Sequence, residues 1–328
     1  QPSKLMVAGS NPVSRSNIHV NNFPNMLHKD FFKKVRIFDG GMGQELLARG
    51  LKTIGTLWSA SALLQDKFHQ LILDTHIDFI KSGAEVIVTS TFSSRRLKLR
   101  ENNIEDKFHQ LNFKAAELAG KAKLKYPNVL VAGGLPPQHL VYEVDQRPDN
   151  EILQNFYDQA KIINPFVDFF YLEVLSSVRE VKLAIKAIQS FKKPYLIGLH
   201  ISEGSKLPSG EKISEIVRKI KHDNLLGLML SCVSPENFEL NLEEIKKLGY
   251  PFGFKLNGFI KTNPYSGYTK VYNKSKFSNP NKFLGVREDL TPKRLAEFVE
   301  KFKKTGATIL GGCCETSPLH IKEIAKLK

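Results

Sequence analysis

Short runs of apolar and β-branched residues alternate along the chain with longer stretches whose apolar positions recur at helical spacing. Eight runs predict strands: Val35–Asp39, Glu85–Thr89, Val129–Gly133, Phe169–Glu173, Tyr195–His200, Leu225–Ser231, Phe252–Asn257 and Thr308–Gly311. The stretches between them predict amphipathic helices over Lys67–Lys81, Glu105–Lys125, Ser176–Phe191, Ile213–Lys221, Glu236–Lys247 and Pro292–Lys304. Boundary residues agree with this, with Ser234-Pro235-Glu236 and Thr291-Pro292 at helix starts and Gly83, Gly249 and Gly306 just past helix ends. Eight strand-helix units within roughly 300 residues predict an α/β chain folded as a single-domain, closed (β/α)8 TIM barrel rather than an open doubly wound sheet. The barrel is expected over residues 34–328, and residues 1–33, rich in Asn, Ser, Pro and basic residues, are expected as a poorly ordered N-terminal extension. The glycine-rich turn Asp39-Gly40-Gly41-Met42-Gly43-Gln44 lacks the last glycine of a dinucleotide-binding fingerprint, which argues against that use. The longest irregular segment, Gly258–Asp289, carries Pro264, Pro280, Tyr265, Tyr268, Tyr272 and Phe277, and is expected as an active-site cover.

Composition narrows the function classes. Of 328 residues, 41% are hydrophobic and 25% charged, which excludes fibrous and wholly disordered chains. The formal charge of +15 permits anionic partners, but the lysines, among them Lys121, Lys125, Lys182, Lys186, Lys301 and Lys304, are scattered at helix-like positions without interleaved aromatic residues. A solvated basic surface is therefore expected and no nucleic-acid partner. No apolar run reaches the roughly 18 residues needed to span a bilayer, so no membrane partner is expected. The only cysteines are Cys232, Cys313 and Cys314, an odd set with one adjacent pair, which fits a reducing, cytoplasmic setting and thiol chemistry rather than disulfides.

In a barrel of this kind, reactive groups stand at the C-terminal ends of the strands. Asp39, Thr89–Thr91, Glu173, His200, Cys232, Asn257 and the Cys313-Cys314 pair all occupy such ends. Three thiolates brought to one mouth with an open fourth position suit a catalytic zinc ion, Zn2+, better than a structural one. A zinc held by three sulfurs accepts a further soft sulfur ligand, which favours a substrate thiol over a water nucleophile. Two other readings stay open on these residues alone. One is a metal-free barrel enzyme acting on a phosphorylated substrate, with Gly311 and Gly312 as an anion site; the other is a nucleic-acid-binding protein driven by net charge.

The segment Gly311-Gly312-Cys313-Cys314 with Pro318 and Ile321, the single Cys232, Asp39-Gly40-Gly41 and Thr89-Ser90-Thr91-Phe92 together closely resemble homocysteine S-methyltransferases. The resemblance extends to Leu57-Trp58-Ser59-Ala60, Ala132-Gly133-Gly134 and Tyr171-Leu172-Glu173-Val174, in order from about Val35 onward. It implies a zinc-dependent barrel that moves a methyl group from an onium donor to homocysteine, giving methionine. Cys232, Cys313 and Cys314 would hold zinc, and zinc would hold the homocysteine sulfur. Asp39, Gly40, Gly41 and Glu173 would meet the amino-acid end with Thr91 nearby, the carboxylates pairing with the ammonium and the glycine N–H groups approaching the carboxylate. Trp58 and Asn257 would stand on the donor side. The Trp58 segment is most similar to the branch that uses S-methylmethionine, with betaine and S-adenosylmethionine as the other candidate donors. Two stretches depart from the family pattern: Ser231 replaces the usual Asn before the single cysteine, and Leu135-Pro136-Pro137 replaces a small-residue-Gly-Pro turn. No oligomer is implied.

Overall fold

The computed structural model describes residues 27, 30–201, 203–220, 223–260 and 284–328. Most of the expected N-terminal extension lies outside the described residues, as does the middle of the long segment with Pro264, Pro280, Tyr265, Tyr268, Tyr272 and Phe277.

Eight strands form one parallel sheet: β1 (Arg36–Ile37), β2 (Val86–Val88), β3 (Leu130–Leu135), β4 (Phe169–Leu175), β5 (Tyr195–Leu199), β6 (Leu225–Val233), β7 (Phe252–Leu256) and β8 (Ile309–Gly312). Their order, β1-β8-β7-β6-β5-β4-β3-β2, returns to its start. Phe38 bridges Val86, Glu85 N donates to Ile37 O at 2.8 Å and Asp39 N donates to Val86 O at 3.0 Å, so β1 meets β2 and the barrel closes. The predicted (β/α)8 barrel is therefore the fold, with all eight predicted strands present.

Helices follow the strands: α1 (Met42–Ala48), α2 (Ala60–Leu64), α3 (His69–Lys81), α4 (Arg96–Glu101), α5 (Phe108–Lys125), α6 (Asp149–Ile163), α7 (Val178–Ile188), α8 (Ile213–Lys219), α9 (Pro235–Lys246), α10 (Pro292–Lys304) and α11 (Pro318–Ala325). The predicted start signals act as caps. Ser234 accepts from Asn237 N and Thr291 from Arg294 N, each followed by proline in the first turn, where its missing N–H costs nothing. Helix α6 was not anticipated: its buried face carries Asn155 and Gln159 among Ile152, Phe156 and Ile163, and the two amides blur the apolar stripe.

Strands β4 and β6 run two residues past their predicted ends because each contains an irregularity, between Leu172 and Leu175 and between Ser231 and Val233. The residues responsible, Val174 (φ 61°) and Cys232 (φ 57°), are left-handed without being glycine, a conformation that is strained for a β-branched valine above all. Such bulges re-aim side chains at barrel rims. No turn residue signals them, which is why the sequence ends both strands early.

Two apolar layers result. One lies between sheet and helices, and the other fills the barrel with Phe38, Val86, Val88, Phe169, Tyr171, Leu196, Met229 and Ile309. Phe32, on a 3-10 turn (Phe31–Lys33) just before β1, stops the barrel floor, stacked 5.9 Å from Phe38 and edge-on 5.8 Å from Phe169. Phe32→Ala is expected to cost about 3–5 kcal/mol, read as a lowered denaturant midpoint, with the opposite end of the barrel unaffected. A midpoint equal to the parent's would show that the turn does not seal the floor.

Candidate functional site

The bulge in β6 turns Cys232 into the barrel mouth, where β8 delivers Cys313 and Cys314. The Cys232 sulfur lies 3.7 Å from that of Cys314, Cys313 and Cys314 are 4.0 Å apart, and all three sulfurs fall within 4.8 Å of one another. Ligands about 2.3 Å from a tetrahedral zinc lie about 3.8 Å apart, so the spacing fits three corners of that polyhedron. All three cysteines are free thiols. Hydrogen bonds from Cys313 and Cys314 pull the Cys232 pKa well below the ordinary thiol value against the opposing effect of burial, with Tyr142 and Asn257 assisting. Tyr142, at φ 67° in the β3–α6 connection, places its hydroxyl 3.2 Å from the Cys232 sulfur, and its ring lies 4.0 Å from that of His200. Burial drives His200 down to about 4, so its ring is neutral. Tyr142 carried no motif signal in the sequence.

Beside the sulfurs stand two buried carboxylates and a buried lysine. Asp39 Oδ1 accepts from Lys255 Nζ at 2.6 Å, and Oδ2 accepts from Val88 N at 2.8 Å, tying β1 to β7 and β2. Burial opposes the Lys255 ammonium, but Asp39, Glu173 and Cys313 outweigh it and lift its pKa above the ordinary lysine value. Lys255 was legible as a lone charge inside an apolar strand, yet the sequence reading passed over it. Glu173, aimed inward where β4 bulges at Val174, has no hydrogen bond or ion pair among the described residues. Burial raises its pKa to about 8, with Lys255 opposing and Cys313 and Asp39 reinforcing. A carboxylic acid held near neutrality ionises readily when a cationic group arrives beside it.

One cavity is lined by Cys232, Cys313, Cys314, Asp39, Gly40, Gly41, Glu173 and Trp58, so the fold brings these predicted residues together. Thr91 and Asn257 are bonded beside the cavity rather than lining it. Thr91 lies behind the wall, its Oγ1 donating to Gly134 O at 2.7 Å and pairing with Thr89 Oγ1 at 3.0 Å, which staples β2 to β3. Asn257 lies under Cys232, its Nδ2 donating to the Cys232 carbonyl at 2.7 Å and to its sulfur at 3.8 Å, so it holds the bulge and touches the sulfur cluster. Gly41 is there for packing: its N–H donates to Thr316 O at 2.9 Å, and an added Cβ would stand 2.6 Å from Cys313 O. Its amide is therefore not available to a substrate carboxylate. The anion site considered at Gly311 and Gly312 fails for the same kind of reason. Gly312 N donates to Asp39 O at 3.1 Å and Cys313 N to Leu256 O at 2.6 Å, so these amides complete the sheet. Ser231, the departure before Cys232, bonds the Tyr171 hydroxyl inside the barrel.

Part of the cavity wall is aromatic. Trp58 (φ 45°) meets Phe92 edge-on at 6.3 Å, and its indole lies against Gly43, where a Cβ would come within 2.3 Å of the ring. The indole Nε1 and both amide atoms of Gln44 are buried without partners, and both residues line the cavity. Neither Phe92 nor Gln44 had been singled out as a site residue.

Comparison with known proteins agrees with this geometry. A family model described as homocysteine S-methyltransferase matches residues 36–327. "Homocysteine S-methyltransferase 2" of Saccharomyces cerevisiae is 26% identical over 319 residues, covering 89% of this chain and 94% of its own length. "Homocysteine S-methyltransferase 1" of the same yeast is 27% identical over 320 residues, covering 89% and 93%. Among solved structures, the metallated form of the Escherichia coli homocysteine methyltransferase MmuM superposes with a TM-score of 0.71 at 19% identity, over 90% of this chain and 96% of that one. Its oxidized form gives 0.72 at 20% identity over the same shares. Among the described residues, no helix is long and apolar enough to cross a membrane.

Proposed function

Since the chain belongs to the homocysteine S-methyltransferase family, we propose that Cys232, Cys313 and Cys314 hold the zinc ion of a methyl transfer to homocysteine whose donor is an onium compound, S-methylmethionine before betaine or S-adenosylmethionine. The observation that carries this reading is the convergence of three free sulfurs, spaced for one tetrahedral ion, on a cavity that also holds two buried carboxylates and an indole. Zinc bound there supplies the positive charge that lowers the pKa of a substrate thiol from about 8.5, so that the nucleophile is ionised at neutral pH.

The chain's own groups do the rest. Glu173, supported by Asp39, faces the homocysteine ammonium; burial pushes the Asp39 pKa above the ordinary aspartate value, and Lys255, bonded at 2.6 Å, opposes that rise and fixes the carboxylate in place. Trp58 offers its face to the donor cation. The sulfur lone pair forms the new C–S bond as the donor's carbon–heteroatom bond breaks, its electron pair neutralising the onium centre. Both charges vanish in that step, so a dry cavity that aligns the two reactants supplies most of the acceleration.

Metal content and methionine formation test the reading together, with the three donors run in parallel. About one zinc per chain and turnover with S-methylmethionine are expected; a metal-free, fully active protein would overturn the ligand assignment. Trp58→Ala is expected to raise the donor KM about tenfold with the homocysteine KM unchanged. Equal changes in both would return Trp58 to a packing role.

A further inference from the structure

Arg95 follows β2 at the barrel mouth and is only 2% exposed. Its Nη1 donates to the carbonyls of Pro137 at 2.9 Å and His139 at 2.6 Å, but its Nε is buried with no partner. Among the described residues no carboxylate lies within ion-pairing distance of it. Glu101 pairs with Lys98 at 2.8 Å, Glu180 accepts from Ser176 N at 2.8 Å, and Glu173 contributes only its distant field. Burial lowers its pKa to about 10, which still leaves it cationic at neutral pH. A buried guanidinium without a counter-ion is costly, and folds sustain one where an anion arrives.

Arg95 lines the same cavity as the cysteines, but from the wall carried by β2, four strands round the barrel from β6 and Cys232. Its guanidinium lies 5.2 Å over the Phe92 ring, which in turn meets Trp58 edge-on. A methyl donor must reach the nucleophilic sulfur through this cavity, which Arg95, Phe92 and Trp58 line together with the cysteines. We propose that Arg95 anchors the carboxylate of the methyl donor while its onium centre rests at Trp58, so that the enzyme selects zwitterionic donors. The inference rests on the reading above that Trp58 faces the donor cation.

The test compares S-methylmethionine with its methyl ester, which keeps the sulfonium and removes the carboxylate charge. The unmutated, metal-loaded enzyme is expected to prefer the acid by about 100-fold in kcat/KM. R95M should bring that ratio close to one, the loss falling on the donor KM for the acid and leaving the homocysteine KM unchanged; R95K should retain part of the preference. Without homocysteine, the acid and not the ester should raise the thermal midpoint of the unmutated protein. If the unmutated enzyme uses ester and acid equally, or if R95M lowers both donors by the same factor, Arg95 only braces the Pro137–His139 turn and the inference falls. Normal discrimination in R95M would overturn it as well. Absence of methionine from either donor with the unmutated enzyme would instead strike the proposed function, and the anchor with it.

Discussion

Cys314→Ser is expected to abolish methyl transfer and release the metal while the barrel stays folded. A hydroxyl is a harder and far weaker acid than a thiol, so it does not replace a thiolate as a soft ligand at neutral pH. Loss of groups that merely orient metal ligands costs about 10–100-fold, and removing a ligand should exceed that, on the order of a thousandfold in rate. The fold should survive because Cys314 is only half-buried, in the turn after β8, and its sulfur touches the other two sulfurs rather than the sheet core. Metal analysis, methionine formation and circular dichroism of the variant check all three points. Full metal occupancy in the serine variant would remove Cys314 from the ligand set.

Asp39→Ala is the second large effect, and it acts first on stability. The substitution leaves the Lys255 ammonium, whose side chain is 4% exposed, with no carboxylate bonded to it, and it orphans the Val88 amide. Removing one partner of a buried ion pair costs about 3–5 kcal/mol. The raised Lys255 pKa sets the pH window. On the alkaline side its contribution fades as pH rises through the raised lysine value; on the acid side burial raises the Asp39 pKa, so the pair is also lost on acidification, and the measurement belongs at neutral pH. Denaturant titration should show the loss, and Lys255→Met added to Asp39→Ala should restore part of it, since the uncompensated charge is then gone. The homocysteine KM should rise as well, with the metal retained. An Asp39→Ala protein as stable as its parent would mean that the pair contributes nothing.

The sequence carried the barrel because each parallel strand is a short apolar run and each connection a helical one, and both periods survive in a single chain. It carried the clustering of the three cysteines because Cys313 and Cys314 are adjacent and Cys232 stands at the end of a predicted strand. It did not carry what depends on backbone detail. Val174 and Cys232 enter the left-handed region without glycine, so nothing marked the bulges that aim Glu173 and the Cys232 sulfur inward. The resemblance places Thr91 near the amino-acid end and Asn257 on the donor side, but a strand end has two sides. Thr91 bonds Gly134 O on the neighbouring strand, and Asn257 bonds both the carbonyl and the sulfur of Cys232. Arg95 was hidden because an arginine after a strand ordinarily reaches solvent, and its burial depends on the Pro137–His139 turn folding over it.

Closure of the barrel through β8 bears on how the centre is assembled as the chain is made. Two of the three sulfurs directly follow the last strand in chain order, and that strand is held in register by β1 and β7 together. A nascent chain with seven strands has Cys232 but no partner sulfurs, and its β1 edge is open. The cluster of three sulfurs and the sealed barrel are therefore completed by the same stretch of chain, around β8.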